Sequence, residues 1–103
     1  MSTQHSQPIL PPVLQQHRLQ ILALARTNGV TNVRVFGSMA RGDFSDNSDV
    51  DLLVDIETGR SGFALGGFLM DVSELLHRKV DVVTPKALHH NIHDQILREA
   101  LSL

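Results

Sequence analysis

Asp49 and Asp51 are the residues where chemistry would begin. They open a stretch in which Val50, Leu52, Val54 and Ile56 alternate with Asp49, Asp51, Leu53 and Asp55. That period of two predicts a strand with one apolar face and one face carrying carboxylates. Side chains two apart on a strand leave the same face, with Cα atoms roughly 6–7 Å apart. Two carboxylates that close repel each other unless a positive charge sits between them. Magnesium suits the position, being a hard ion that prefers oxygen and is often shared between carboxylates and substrate phosphates. Asp81 offers a third carboxylate. It lies among Val80, Val82 and Val83 in another short strand pattern, where an unpaired charge is costly. On a neighbouring strand it would complete a site for two ions.

Gly37-Ser38 supplies the feature that would meet phosphate. Glycine lets a phosphate approach the backbone with no Cβ in the way. The serine hydroxyl and the free N–H groups at a helix start can bind an anion. Arg41, a short turn further on, could meet a phosphate or a structural carboxylate. Singly, each feature is commonplace. Gly-Ser is usually a turn, and aspartates in such patterns often lie on solvated edges. Their order is more telling: a glycine-serine turn after one strand, paired aspartates on the next and an aspartate on a third.

The elements that must position these residues can be read from the apolar pattern. Pro11 and Pro12 can open a helix whose face is Val13, Leu14, Leu19, Ile21, Leu22 and Leu24, with a stop at Asn28-Gly29. Val33–Phe36 reads as a short strand, residues 38–42 as a brief helical turn, and Gly42–Ser48 as a polar turn. Residues 57–67 contain four glycines and read as loop or weak helix start. Phe68, Leu69, Val72, Leu75 and Leu76 have helical spacing, and a start before Gly66-Gly67 would cost roughly 1 kcal/mol per glycine. Val80–Val83 is the third strand. Thr84-Pro85 resembles a helix start, and Leu88, Ile92, Ile96, Ala100 and Leu101 mark a final amphipathic helix. The fold class expected is a small α/β (α+β) domain, a three-stranded mixed sheet with helices packed mainly on one face. Residues 1–7 are polar and expected to fray, leaving 8–103 as one domain.

Composition limits the alternatives. The chain has 103 residues, 42% of them apolar, and its four aromatics are all Phe. It has no Cys, which excludes disulfides, thiolate metal sites and Cys nucleophiles. A net charge of −2 argues against direct binding of long nucleic acid along a broad basic face, but not against a nucleotide substrate. No apolar run approaches a membrane span, and MSTQHSQPIL lacks the pattern of a signal peptide, so a cytoplasmic location is the default. His89 and His93 are spaced i, i+4 and His90 lies beside them, but no carboxylate completes a known zinc motif. A solvated helix face is the favoured reading.

At this point the sequence resembles a known family. Gly37-Ser38, residues 39–48 and Asp49-Val50-Asp51 match the GS-x10-DxD signature of the polymerase-β-like nucleotidyltransferases. The string GSMARGDFSDNSDVDLLVDI, the later LHRKVDVVTP and the closing ILREAL look like the minimal nucleotidyltransferase branch. The resemblance implies a polymerase-β-like core and two-metal nucleotidyl transfer from ATP. Asp49 and Asp51 would ligate the two Mg2+ ions that hold the triphosphate. Asp81 would ligate the second and assist deprotonation of the acceptor hydroxyl, while Gly37 and Ser38 would hold the β- and γ-phosphates.

The resemblance also implies a partner. Minimal nucleotidyltransferases resemble the antitoxin half of a two-gene pair whose other half is a HEPN ribonuclease toxin, inactivated by addition of AMP to a tyrosine. A hetero-oligomer with such a toxin is therefore expected. The larger antibiotic-modifying relatives carry an additional helical domain, whereas little of this chain follows Asp81, so the acceptor is expected from another molecule or from a shared pocket. Two alternatives stand beside this reading: modification of a small molecule such as an antibiotic, and a non-catalytic antitoxin that acts by binding alone. The glycine-rich stretch 59–67 could close over nucleotide or acceptor, or be an ordinary surface loop.

Overall fold

A computed structural model describes residues 9–103, and the frayed stretch expected at 1–7 lies outside them. Helix α1 (Pro12–Asn28) has proline in its first turn and ends at Gly29, whose φ of 74° lets its N–H return to the Ala25 and Arg26 carbonyls. Strand β1 (Val30–Phe36) follows directly, starting three residues earlier than the apolar pattern suggested. A short helix α2 (Ser38–Arg41) leads through the polar turn into β2 (Val50–Ile56). Helix α3 (Phe63–Leu76), strand β3 (Val80–Val83), a 3-10 turn (Pro85–Ala87), helix α4 (His90–Glu99) and strand β4 (Leu101–Ser102) complete the chain.

The sheet has four strands in the order β3-β2-β1-β4, one more than the three expected. β1 runs antiparallel to both β2 and β4, and β2 runs parallel to β3, so the sheet is mixed as expected. The final helix was expected to run on through Ala100 and Leu101, but it stops at Glu99. The last residues instead pair with β1: Leu101 lies opposite Val35 and Ser102 opposite Arg34, and the Leu103 N–H donates to the Val33 carbonyl at 2.9 Å. The free edge of β1 supplies hydrogen bonds that a last helical turn would have to find in water.

Helices α1 and α3 cover one face. Leu14, Ile21 and Ala25 from α1 and Ala64, Phe68, Val72 and Leu76 from α3 meet Val33, Val35, Val50, Leu52, Val54 and Val80 of the sheet. The period of two in β2 is realised here, since Val50, Leu52 and Val54 are fully buried. Leu53, on the opposite face, is fully buried as well but lies outside this cluster, so the carboxylate face is not wholly wet. α3 also includes Gly66 and Gly67 within its span, despite their cost. A Cβ at Gly67 would run into the Asn28 side chain, so glycine there permits the close approach of α3 to the end of α1. No helix among the described residues is long and apolar enough to cross a membrane.

Candidate active site

β1 ends at Phe36, and the chain turns sharply at Gly37, whose φ is 74° and ψ −150°. Two constraints demand glycine here. The backbone lies in a region that side chains rarely tolerate, and a Cβ would stand 2.6 Å from Asp51 Oδ2. The glycine-serine turn and the paired aspartates are thus in direct contact, because antiparallel pairing puts Phe36 opposite Asp51. Ser38 begins α2, whose Met39 is buried and anchors the turn to the core.

The parallel register of β2 and β3 places Asp51 beside Asp81. Asp49 immediately precedes β2, and its Oδ2 lies 3.8 Å from Lys79 Nζ, both side chains being largely solvated. The Asp51 carboxyl feels the other two charges. Burial, then the Asp81 and Asp49 charges, push the Asp51 carboxyl above its ordinary range, against the opposing pull of Arg41 and Lys79. Among the described residues, no three His, Cys, Asp or Glu side chains are drawn together as tightly as the ligands of one ion. The donor chemistry nonetheless fits a hard divalent cation: three carboxylates on one side of the sheet, the central one destabilised by burial and by the charges of the other two.

Arg41 is engaged by acids rather than isolated at the surface. It lies 3.4 Å from Asp43 and 3.3 Å from Glu99. Glu99 Oε1 also accepts from the Gly37 N–H at 3.2 Å. Glu99 and Lys79 both went unsingled in the sequence. Lys79 stands two residues before Asp81 and so shares its side of the strand, a signal that was available. Glu99 had no such signal, because only the fold brings it to the turn.

Other sequence candidates separate from this cluster. Asp55, on the same strand face as Asp51, is held by Asn32 at 2.9 Å and Arg34 at 3.4 Å. The glycine-rich loop lies past the far end of β2, roughly 16 Å along the strand from Asp51. There Arg60 donates to the Thr27 carbonyl, beside a hollow of about 430 Å³ lined in part by Asn28 and Phe63. His89 caps α4 by accepting from the Asn91 N–H, and His93 lies 3.3 Å from Asp94. Both have local partners, in keeping with a solvated helix face.

The family model for the nucleotidyltransferase domain matches residues 17–103. The chain belongs to the nucleotidyltransferase domain family. Its relatives place it in the minimal branch. A provisionally assigned protein adenylyltransferase from Methanocaldococcus jannaschii is 31% identical over 90 residues, covering 87% of this chain and 97% of the relative. The protein adenylyltransferase MntA of Thermococcus cleftensis is 37% identical over 73 residues, covering 71% and 74%. A solved structure provisionally assigned as a minimal nucleotidyltransferase is 37% identical and superposes with a TM-score of 0.80, over 92% of this chain and 97% of that one. A toxin–antitoxin complex with AMP-PNP shares the fold, with a TM-score of 0.67 at 22% identity, over 82% of this chain and 69% of that one. In this family setting, Asp51 and Asp81 lie side by side on the parallel strands β2 and β3, with Asp49 immediately before β2.

Proposed function

We propose that this nucleotidyltransferase is the antitoxin of a toxin–antitoxin pair, and that it transfers AMP from ATP to a tyrosine hydroxyl of a HEPN-type toxin. The reading is carried by one observation: the Gly37 turn abuts Asp51, and Asp51 lies beside Asp81 in the parallel register. A phosphate-holding backbone and a carboxylate cluster on one surface are what nucleotidyl transfer requires. The names of the relatives, a protein adenylyltransferase and toxin–antitoxin complexes, support the choice of a protein acceptor.

Asp49, Asp51 and Asp81 would hold two Mg2+ ions, which when bound neutralise charge on the triphosphate and on the leaving pyrophosphate. The Gly37 turn and Ser38 hydroxyl orient the β- and γ-phosphates, leaving the α-phosphorus exposed on the open side of the sheet. The tyrosine oxygen bonds to that phosphorus in line, and the bond from it to the oxygen bridging to the β-phosphate breaks. Pyrophosphate departs with the electron pair, and the tyrosine proton passes to Asp81 or through it to water. The open surface around the aspartates admits a side chain carried by another protein. The nucleotide and the metal ions are thus held by this chain, while the acceptor is supplied by the partner.

The test is mass spectrometry of the toxin encoded beside this chain after incubation with the protein, ATP and magnesium. A mass gain of AMP on a toxin tyrosine, absent with Asp49→Asn/Asp51→Asn, is expected. An unmodified toxin, bound tightly and fully neutralised by the double variant, would overturn the enzymatic reading in favour of binding alone.

A further inference from the structure

The C-terminal strand does more than lengthen the sheet. Leu101 pairs with Val35 and Ser102 with Arg34, and this pairing brings the end of α4, at Glu99, back to the Gly37 turn. The side chain reaches that turn directly. One oxygen, Oε1, accepts from the Gly37 N–H at 3.2 Å and from Arg41 Nη1 at 3.3 Å. Its side chain is only 20% exposed, against 49% for Arg41 and 64% for Asp43, the other acid on Arg41. Glu99 is therefore the better sheltered of the two carboxylates that bind this arginine.

We propose that Glu99 is a positioning residue of the nucleotide site, holding the Gly37 turn and the Arg41 guanidinium in the arrangement that receives the triphosphate. The inference rests on the nucleotidyl-transfer reading above. Gly37 is held in a left-handed conformation against Asp51, and an acceptor on its N–H fixes the orientation of that peptide. Arg41 has two acidic neighbours and would otherwise follow Asp43 into solvent. A hydrogen bond to a charged group is roughly twice as strong as a neutral one, so a single carboxylate oxygen can hold both donors. Glu99 acts through Gly37 and Arg41, the groups placed to receive the triphosphate.

A role in holding phosphate groups affects nucleotide affinity before it affects turnover. MgATP affinity by calorimetry, together with KM and kcat for AMP transfer, reads that difference. Glu99→Ala should weaken MgATP binding and raise KM by about tenfold, with kcat changed by less than about threefold. Glu99→Gln keeps an oxygen in the same place and should fall between Ala and wild type. Glu99→Asp keeps the charge but withdraws the oxygen by one methylene; it should lose affinity as Ala does, and it carries the test if Ala fails to fold. Folded Ala and Asp variants that bind MgATP like wild type would overturn the inference alone. Gln binding MgATP more tightly than wild type would also overturn it, since the carboxylate would then oppose phosphate. Wild-type protein that fails to bind MgATP at all would overturn the inference and the nucleotidyl-transfer reading together.

Discussion

Asp51 and Asp55 stand four residues apart on the same face of β2, and they have opposite surroundings. Asp55 has an amide donor from Asn32, which sits at a φ of 53° within an irregular stretch of β1, and an ion pair with Arg34. Its charge is answered by this chain. Asp51 faces two other carboxylates and has its carboxyl pushed up by burial and by them. Its charge is left for something else to answer. Along one strand, therefore, the compensated aspartate is a brace and the uncompensated one is the candidate for chemistry.

This contrast can be broken most forcefully by neutralising each carboxylate in turn. Asp51→Asn should lower AMP transfer by about 10³-fold or more, whereas Asp55→Asn should leave it within about threefold, as measured by mass spectrometry of the modified toxin. Comparable losses from both would erase the distinction. A smaller effect is expected at the turn that touches Asp51. Gly37→Ala places a Cβ against Asp51 Oδ2 at a φ of 74°, and should cost about 1–3 kcal/mol of stability together with about 10²-fold in transfer. Chemical denaturation and transfer assays on the same preparation read the two parts.

Asp55→Asn keeps hydrogen-bonding capacity but loses the charge paired with Arg34. Because Asp55 is partly solvated, the expected loss is under about 1 kcal/mol, read as a lower denaturant midpoint. The smallest effect has the opposite sign. A carboxyl whose folded pKa is raised above its unfolded value binds its proton more tightly in the fold. Ionising Asp51 therefore costs stability, and that cost appears as pH rises through the raised pKa. In metal-free protein at neutral pH, Asp51→Asn should raise Tm by a few degrees, less than about 1 kcal/mol after solvent screening. The gain should vanish below the ordinary carboxylate range, where both forms are neutral. Magnesium should narrow the same gap at neutral pH by stabilising wild type but not the variant. An Asp51→Asn variant less stable than wild type in chelator at neutral pH would show that this charge is compensated within the fold.

Much of this was legible before any fold was drawn. Periodicity gave the two parallel strands, and the Gly-Ser and Asp-x-Asp spacing pointed to the turn and to Asp49 and Asp51. Asp55 shows the limit of that reading. In the alternating pattern it is indistinguishable from Asp51, and its partners Asn32 and Arg34 come from a strand more than 20 residues away. The α3 start was obscured for a similar reason, since Gly67 is disfavoured by local propensity and is compensated by packing against Asn28. β4 left no mark in periodicity, because two residues are too few to show one.

What the sequence determined alone is therefore the local pattern: which residues alternate, which turns need glycine, and which carboxylates sit close along one strand. These follow from backbone geometry over a few residues. The tertiary structure decided which charges are answered. It set Asp81 beside Asp51 through a parallel register, gave Asp55 its own donors, and carried Glu99 back from the C-terminus to the Gly37 turn. Charge compensation depends on distances across the sheet, and those are fixed only when the strands pair.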